Sequence, residues 1–176
     1  MLFRSVFGDY NPAGRLPITV PRSVGQLPDY YYSKPTAKRG YLFADKSPLF
    51  PFGFGLSYTT FSYTKLRLTP AAISASRAVT VQVDVTNTGK RMGDEVVQLY
   101  IRDEVSSVTR PVKELRGFER FSLHPGESKT VSFQLGPEAL QFYNRDMKRV
   151  VEPGKFTVMV GPNSVDLKSA TFDVTP

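Results

Sequence analysis

Acidic side chains stand side by side at two places in this chain, Asp94-Glu95 and Asp103-Glu104. Two carboxylates facing one another across a scissile bond can divide nucleophilic and acid/base work between them. Neighbours along a strand, however, point to opposite faces. Asp94-Glu95 lies where the turn-forming NTGKRMGD gives way to EVVQLYIR. Asp103-Glu104 ends a strand and reads as solvated. The single histidine, His124, lies in SLHPGES, a Pro-Gly turn between two apolar runs, and is assigned to the turn rather than to chemistry. With no cysteine and one histidine, disulfides, thiolate metal sites and two-histidine metal sites are excluded, and no metal or other cofactor is predicted.

Two further clusters could bind rather than react. In RPVKELRGFER, Arg110, Lys113 and Arg116 could contact an anion or a sugar. The favoured reading is a strand with its charges outside and Val112, Leu115 and Phe118 packed, since surface ion pairs of this kind contribute little. Tyr30, Tyr31 and Tyr32 could stack on the apolar faces of pyranose rings, or could anchor an extended segment on a neighbouring structure. Both readings stand.

The elements that would position these residues fall into two textures. Up to about Pro51 the chain is punctuated by Pro12, Pro17, Pro21, Pro28, Pro35, Pro48 and Pro51. Each proline removes a donor and restricts its predecessor, so few ladder hydrogen bonds can form. Only LPITV (Leu16 to Val20) resembles a strand. The stretch is nevertheless rich in Phe, Tyr, Leu and Ile, which suits an extended segment packed over another structure and not a flexible linker.

From Phe61 the pattern turns regular. VTVQVDV puts Val79, Val81, Val83 and Val85 on one face, the period of a half-buried strand. EVVQLYIR follows a turn-forming NTGKRMGD, and KTVSFQL, KFTVMV and ATFDV alternate in the same way. HPGE and EPGK place Pro-Gly turns between strand candidates. PEALQFY is at most one helical turn. About seven strands predict a mainly β, two-layer antiparallel sandwich. Its core would rest on aliphatic and aromatic packing, because the immunoglobulin cysteine pair is absent.

Between the two textures runs SPLFPFGFGLSYTTF. Its phenylalanines want burial and its glycines forbid a helix interior. Phe50, Phe52, Gly53, Phe54, Gly55 and Tyr58 are assigned to a packed interdomain junction. The predicted division is residues 1–59, a piece of one domain with the junction, and residues 60–176, the sandwich.

The formal charge is +7. The first 56 residues hold seven Lys/Arg against three Asp/Glu and the remainder 16 against 13, so the excess is denser in the shorter part. No basic run exceeds two residues and no nucleic-acid motif occurs, which argues for a solvated surface and against nucleic acid as a partner. No apolar run approaches the length of a membrane-spanning helix, and MLFRSVF has no apolar stretch of signal-peptide length, so neither a membrane partner nor an export signal is read.

FGDYNPAGRLPITVPRSVGQLP, PLFPFGFGLSYTTF, VTNTGKRMGDEVVQLYIRD, RPVKELRGFERFSLHPGESKTVSFQL and VVEPGKFTVMVGPNS occur here in one order. Together, over nearly the whole chain from Phe7 to Val174, they resemble the C-terminal part of glycoside hydrolase family 3, the β-glucosidases and β-xylosidases. The resemblance implies a fibronectin type III-like sandwich from about Phe61, preceded by the end of an α/β sandwich domain. In that family a barrel domain carries the nucleophilic aspartate and the second domain the acid/base glutamate. The resemblance places neither in this stretch, so no catalytic residue is assigned.

The implied partners are the catalytic domains of such an enzyme, for which this part would be a scaffold inactive alone. A stand-alone module holding a polysaccharide or acidic polymer is the alternative. Self-association through Phe43, Leu49, Phe50, Phe52 and Phe54 is expected if no partner covers them. Members of the family are often periplasmic or secreted. Two departures are visible: MLFRS differs from the helical lead-in of the family, and Leu42 stands where many members have arginine, so no sugar contact is carried over there.

Overall fold

The computed structural model describes residues 2–27, 29–35 and 45–176; the expectations placed on Leu42 and Phe43 lie outside the described residues. A short helix, α1 (Leu2–Val6), and a 3-10 turn at Val24–Gln26 punctuate an otherwise extended first segment. Ten strands follow: β1 (Phe61–Thr69), β2 (Ala72–Ser74), β3 (Val79–Asn87), β4 (Gly93–Asp103), β5 (Glu114–Leu123), β6 (Ser128–Leu135), β7 (Phe142–Tyr143), β8 (Arg149–Val150), β9 (Gly154–Gly161) and β10 (Lys168–Thr175). One helical turn, α2 (Pro137–Leu140), precedes β7.

The long strands form two layers. One sheet has the order β1-β3-β6, the other β2-β10-β9-β4-β5, and β7 and β8 make a small hairpin. All pairings are antiparallel except β2 on β10. That exception arises because the chain leaves the first sheet after Thr69-Pro70 and adds three residues to the edge of the second.

Strict alternation in the sequence becomes the core. Val79, Val81, Val83 and Val85 of β3 are fully buried, facing Val97, Leu99 and Ile101 of β4 and Phe156, Val158 and Val160 of β9 within one cluster. Phe156 and Phe172 stack with ring centroids 5.5 Å apart. The cluster also takes in Leu123, Val131 and Leu135, so hydrophobic burial is concentrated between the sheets, where each large side chain contributes ~1.5–3 kcal/mol.

Two sequence expectations need correction here. LPITV is not a strand; only Val20 forms a bridge, to Phe50. Pro17 and Pro21 remove the donors on either side, leaving Leu16 and Val20 to supply its ladder bonds. Phe118 does not pack: it is 69% exposed. The trio Val112, Leu115, Phe118 has a spacing of three, whereas a strand repeats every two residues. A bulge at Arg116, opposite the step from Leu99 to Tyr100, lets Gly117, Glu119 and Phe121 turn inward while Phe118 and Arg120 face out.

The described residues of the first segment pack on the end of the sandwich and on the outer face of the five-stranded sheet. There the outward residues of β4, Gln98 and Tyr100, are buried at 3% and 0% exposure. A half-buried strand would leave them in solvent; the proline-rich segment covers them.

Candidate functional site

Main-chain bonds shape the junction first. Leu16 N–H donates to Phe54 O at 2.8 Å, Gly53 N–H to Leu16 O at 2.8 Å and Val20 N–H to Phe50 O at 2.8 Å. The two extended pieces of the segment therefore run side by side, and a tight turn returns Phe54 N–H to Pro51 O at 3.1 Å. Gly53 has φ of +80°, which a residue with a Cβ rarely adopts.

Gln98 is the hub beneath that turn. Its Nε2 donates to Pro162 O at 2.7 Å and to Gly53 O at 3.2 Å, while Tyr100 Oη donates to its Oε1 at 2.5 Å. Ser164 N–H donates to Phe52 O at 2.9 Å, so the β9–β10 loop also grips the junction. The Phe52 ring stacks on Tyr31 at 4.3 Å, and Tyr31 meets Tyr100 edge-on at 5.7 Å. Phe50 and Phe54 pair at 5.0 Å further out. Tyr58 is half exposed, donates to Ser5 O at 2.5 Å and lies under the Arg91 guanidinium. Gly55 is set by contact: a Cβ there would sit 2.4 Å from Arg15 Nη1 and Gly14 O.

A buried ion pair ties the segment to the end of the sandwich. Arg15 Nη2 is 2.8 Å from Glu95 Oε1, with side-chain exposures of 12% and 4%. Tyr63 Oη donates to the same oxygen at 3.1 Å. Burial and then the Glu95 charge push the Tyr63 hydroxyl well above its ordinary range, which keeps it a donor. Asn11 completes this end: its Oδ1 accepts from Tyr58 N–H and Ser57 Oγ, and its Nδ2 donates to Met92 O.

The acidic pairs separate as neighbours on a strand must. Asp94 faces out to Arg120 and Ser122, whose hydrogen bonds hold its carboxyl below the usual range. Glu95 faces in. Asp103 overturns the expectation of a solvated strand end: its side chain is 2% exposed, because the loop from Glu104 to Lys113 folds back over it. Glu104 pairs with Arg102 and accepts from Thr157. Charges of the RPVKELRGFER stretch are not all outside, since the Arg110 side chain is 8% exposed and its guanidinium lies over the Phe142 ring at 4.5 Å.

The three tyrosines divide by position. Tyr31 is turned onto Phe52 and Tyr100, and burial raises its hydroxyl despite a hydrogen bond with the Leu115 backbone. Tyr30 and Tyr32 pair at 5.1 Å and keep 38% and 54% of their surface. A cavity of about 230 Å³ is lined by Tyr31, with Thr19, Asp29, Ser33, Lys113 and Ser164 among its other walls. His124 caps its turn, with Glu127 Oε2 accepting from its N–H at 2.7 Å. Among the described residues no group of three His, Cys, Asp or Glu is placed to hold a metal ion, and no helix is long and apolar enough to cross a membrane.

Sequence reasoning did not single out Gln98, Asn11 and Arg15, the polar side chains that fasten this segment. The one available signal was a glutamine inside the apolar run VVQLYI, where an amide must find partners if both faces are covered.

Comparison with known proteins accounts for this arrangement. Residues 1–58 match the glycosyl hydrolase family 3 C-terminal domain and residues 95–164 the fibronectin type III-like domain. A β-xylosidase of Formosa agariphila is 53% identical over 175 residues, covering 96% of this chain and 24% of the relative. The periplasmic β-glucosidase of Salmonella typhimurium is 47% identical, with 96% and 24% covered. The solved structure of an Erythrobacter marinus β-glucosidase superposes with a TM-score of 0.95 at 48% identity, covering 99% of this chain and 23% of that one. A Listeria innocua β-glucosidase in complex with glucose gives 0.92 at 35% identity, with 98% and 26% covered. The chain thus spans about a quarter of the length of the relatives it matches. It belongs to glycoside hydrolase family 3, corresponding to a C-terminal part of those enzymes in which family 3 C-terminal sequence is joined to a fibronectin type III-like sandwich.

Proposed function

We propose that this chain is the scaffold portion of a β-glucosidase- or β-xylosidase-like enzyme acting on β-linked glycosides, and that it is inactive without the family's other domains. One observation carries the reading: the first segment is fastened to the sandwich and yet leaves large apolar side chains bare. Phe3, Phe7, Val24, Leu27 and Leu56 are 60–86% exposed, an arrangement that suits a surface shaped for more of the same fold. The domain boundary belongs between Thr59 and Thr60, where the chain leaves the segment and enters β1. The expected result is complementation: mixed with a family 3 relative truncated before its matching quarter, the chain restores hydrolysis of aryl β-glycosides, and neither piece alone does so. Hydrolysis by the chain alone, abolished by an acidic-to-amide substitution within it, would replace this reading with a catalytic one.

Tyr30 and Tyr32 are the rings of the trio whose exposure favours a sugar contact, and Y30A/Y32A in the complemented enzyme should slow turnover of polymeric substrate more than of aryl glycoside. Of the residues expected to drive self-association, Leu49 and Phe50 are exposed while Phe52 and Phe54 are half-buried. Without a partner, Leu49 and Phe50, with the bare side chains named above, drive association of the chain with itself. Sedimentation velocity should show oligomers growing with concentration, and a monomer throughout would refute that expectation.

A further inference from the structure

We propose that Asp103, Arg110, Glu114 and Glu152 form a latch, strengthened by acid, that fastens the loop between β4 and β5, and through it the tyrosine segment, to the sandwich. The geometry is that of an ion pair that is buried but incompletely made. Asp103 Oδ2 and Arg110 Nη1 are 3.6 Å apart, beyond hydrogen-bond distance, with side-chain exposures of 2% and 8%. Neither atom has a hydrogen-bond partner or access to solvent. Arg110 instead donates through Nη2 to Glu114 at 2.7 Å, and Arg116 reaches the same Glu114 oxygen at 2.6 Å. Glu152, from the segment before β9, accepts from Ser107 N–H at 2.9 Å and adds a further negative charge near Asp103.

Two carboxylates, Asp103 and Glu114, therefore share one buried guanidinium, and Glu152 adds its charge to the Asp103 side. Of the other charges at this end, Arg145 donates to Ser107 O at 3.1 Å, Arg102 and Glu104 pair with one another, and Lys155 pairs with Asp173. Asp103 keeps a hydrogen bond with the Val105 backbone, but an ionised carboxylate that has lost its water and leaves one oxygen unbonded is costly. Neutralising Asp103 removes that cost and leaves Arg110 to Glu114. The loop so relieved carries Val112, whose N–H donates to Ser33 O at 2.9 Å, so its state is transmitted to the residues beside Tyr30–Tyr32.

Burial, opposed by Arg110 and reinforced by Glu152, pushes the Asp103 carboxyl up to about 6. The folded chain then holds a proton that the unfolded chain releases, so stability rises as pH falls from about 7 toward 4 and is level above. The test is urea unfolding of the whole chain at about pH 7.5 and about pH 5, for wild type and D103N. Wild type should gain about tenfold in its folding equilibrium constant at the lower pH, and D103N less than about twofold. Amide exchange, corrected for intrinsic rates, should slow at residues 104–113 and 29–35 in wild type only. If D103N fails to fold, E152Q takes its place: losing one repelling charge should shrink the wild-type gain. An equal gain in wild type and in whichever variant folds, or no gain in wild type, would overturn the latch.

Discussion

Replacing Gly53 by alanine should lower the stability of the chain by about 3–5 kcal/mol, a fall of about 10 °C in Tm for a chain of this size. Two costs combine. The φ of +80° puts any residue with a Cβ in the left-handed region, at about 1–2 kcal/mol. The new methyl would also lie 2.1 Å from Gln98 Oε1 and 2.6 Å from its Nε2. Gln98 must then leave a buried position, and the carbonyls of Gly53 and Pro162 and the Tyr100 hydroxyl lose their partner. Each buried polar group left without a bond costs about 1–3 kcal/mol. Gly126 separates the two causes, because it has φ of +78° and open space where its Cβ would go. G126A should therefore cost about 1 kcal/mol. Thermal unfolding of both variants decides the matter: equal losses would mean that the Gln98 contact adds nothing.

A second large effect is expected at the pair between Arg15 and Glu95. R15M should destabilise by about 3–5 kcal/mol, because it leaves a carboxylate with 4% side-chain exposure facing the sandwich interior without its cation. Glu95 would keep Tyr63 Oη and the Val96 N–H, which soften the loss without removing it. Adding E95Q to R15M should recover most of the stability, since an amide can still accept from Tyr63 and carries no charge to bury. The cycle of wild type, R15M, E95Q and the double variant, read by chemical unfolding, gives a coupling energy expected to exceed about 2 kcal/mol. A coupling below about 0.5 kcal/mol would show that the segment is held by apolar contacts alone.

The sandwich was legible because its signal is local. The period of two in VTVQVDV and KFTVMV needs no partner to be seen, and the Pro-Gly turns mark where it breaks. The rings alternating with glycines in PFGFG carry a local signal as well, that of packing around a special backbone: Phe52 stacks on Tyr31, Phe50 pairs with Phe54 and Gly53 has positive φ. What could not be read depends on residues brought together from far apart. Arg15 and Glu95 are 80 positions apart, and nothing within NPAGRLP names its partner. Gln98 and Tyr100 look solvent-facing in an alternating strand until a segment some 45 residues earlier covers them. Asp103 looks solvated at a strand end until a loop closes on it. Phe118 failed for a different reason, a helical spacing carried into a strand.

The junction is gripped chiefly through its peptide groups. Phe50 O, Phe52 O, Gly53 O, Pro162 O, Leu16 O and Phe54 O are among the acceptors, and Ser164 N–H, Leu16 N–H, Val20 N–H and Gly53 N–H are among the donors. Contacts of this sort read the path of the chain and are indifferent to the side chains strung along it. Selection at Phe50, Phe52 and Phe54 then acts on ring packing alone, and substitutions there can drift among residues of similar bulk. Gly53 has no such latitude, since its lack of a side chain is what lets the amide of Gln98 reach the main chain. Conservation of Gly53 and of Gly55, whose Cβ would meet Gly14 O, amid variable neighbours is the evolutionary signature this construction should leave among relatives.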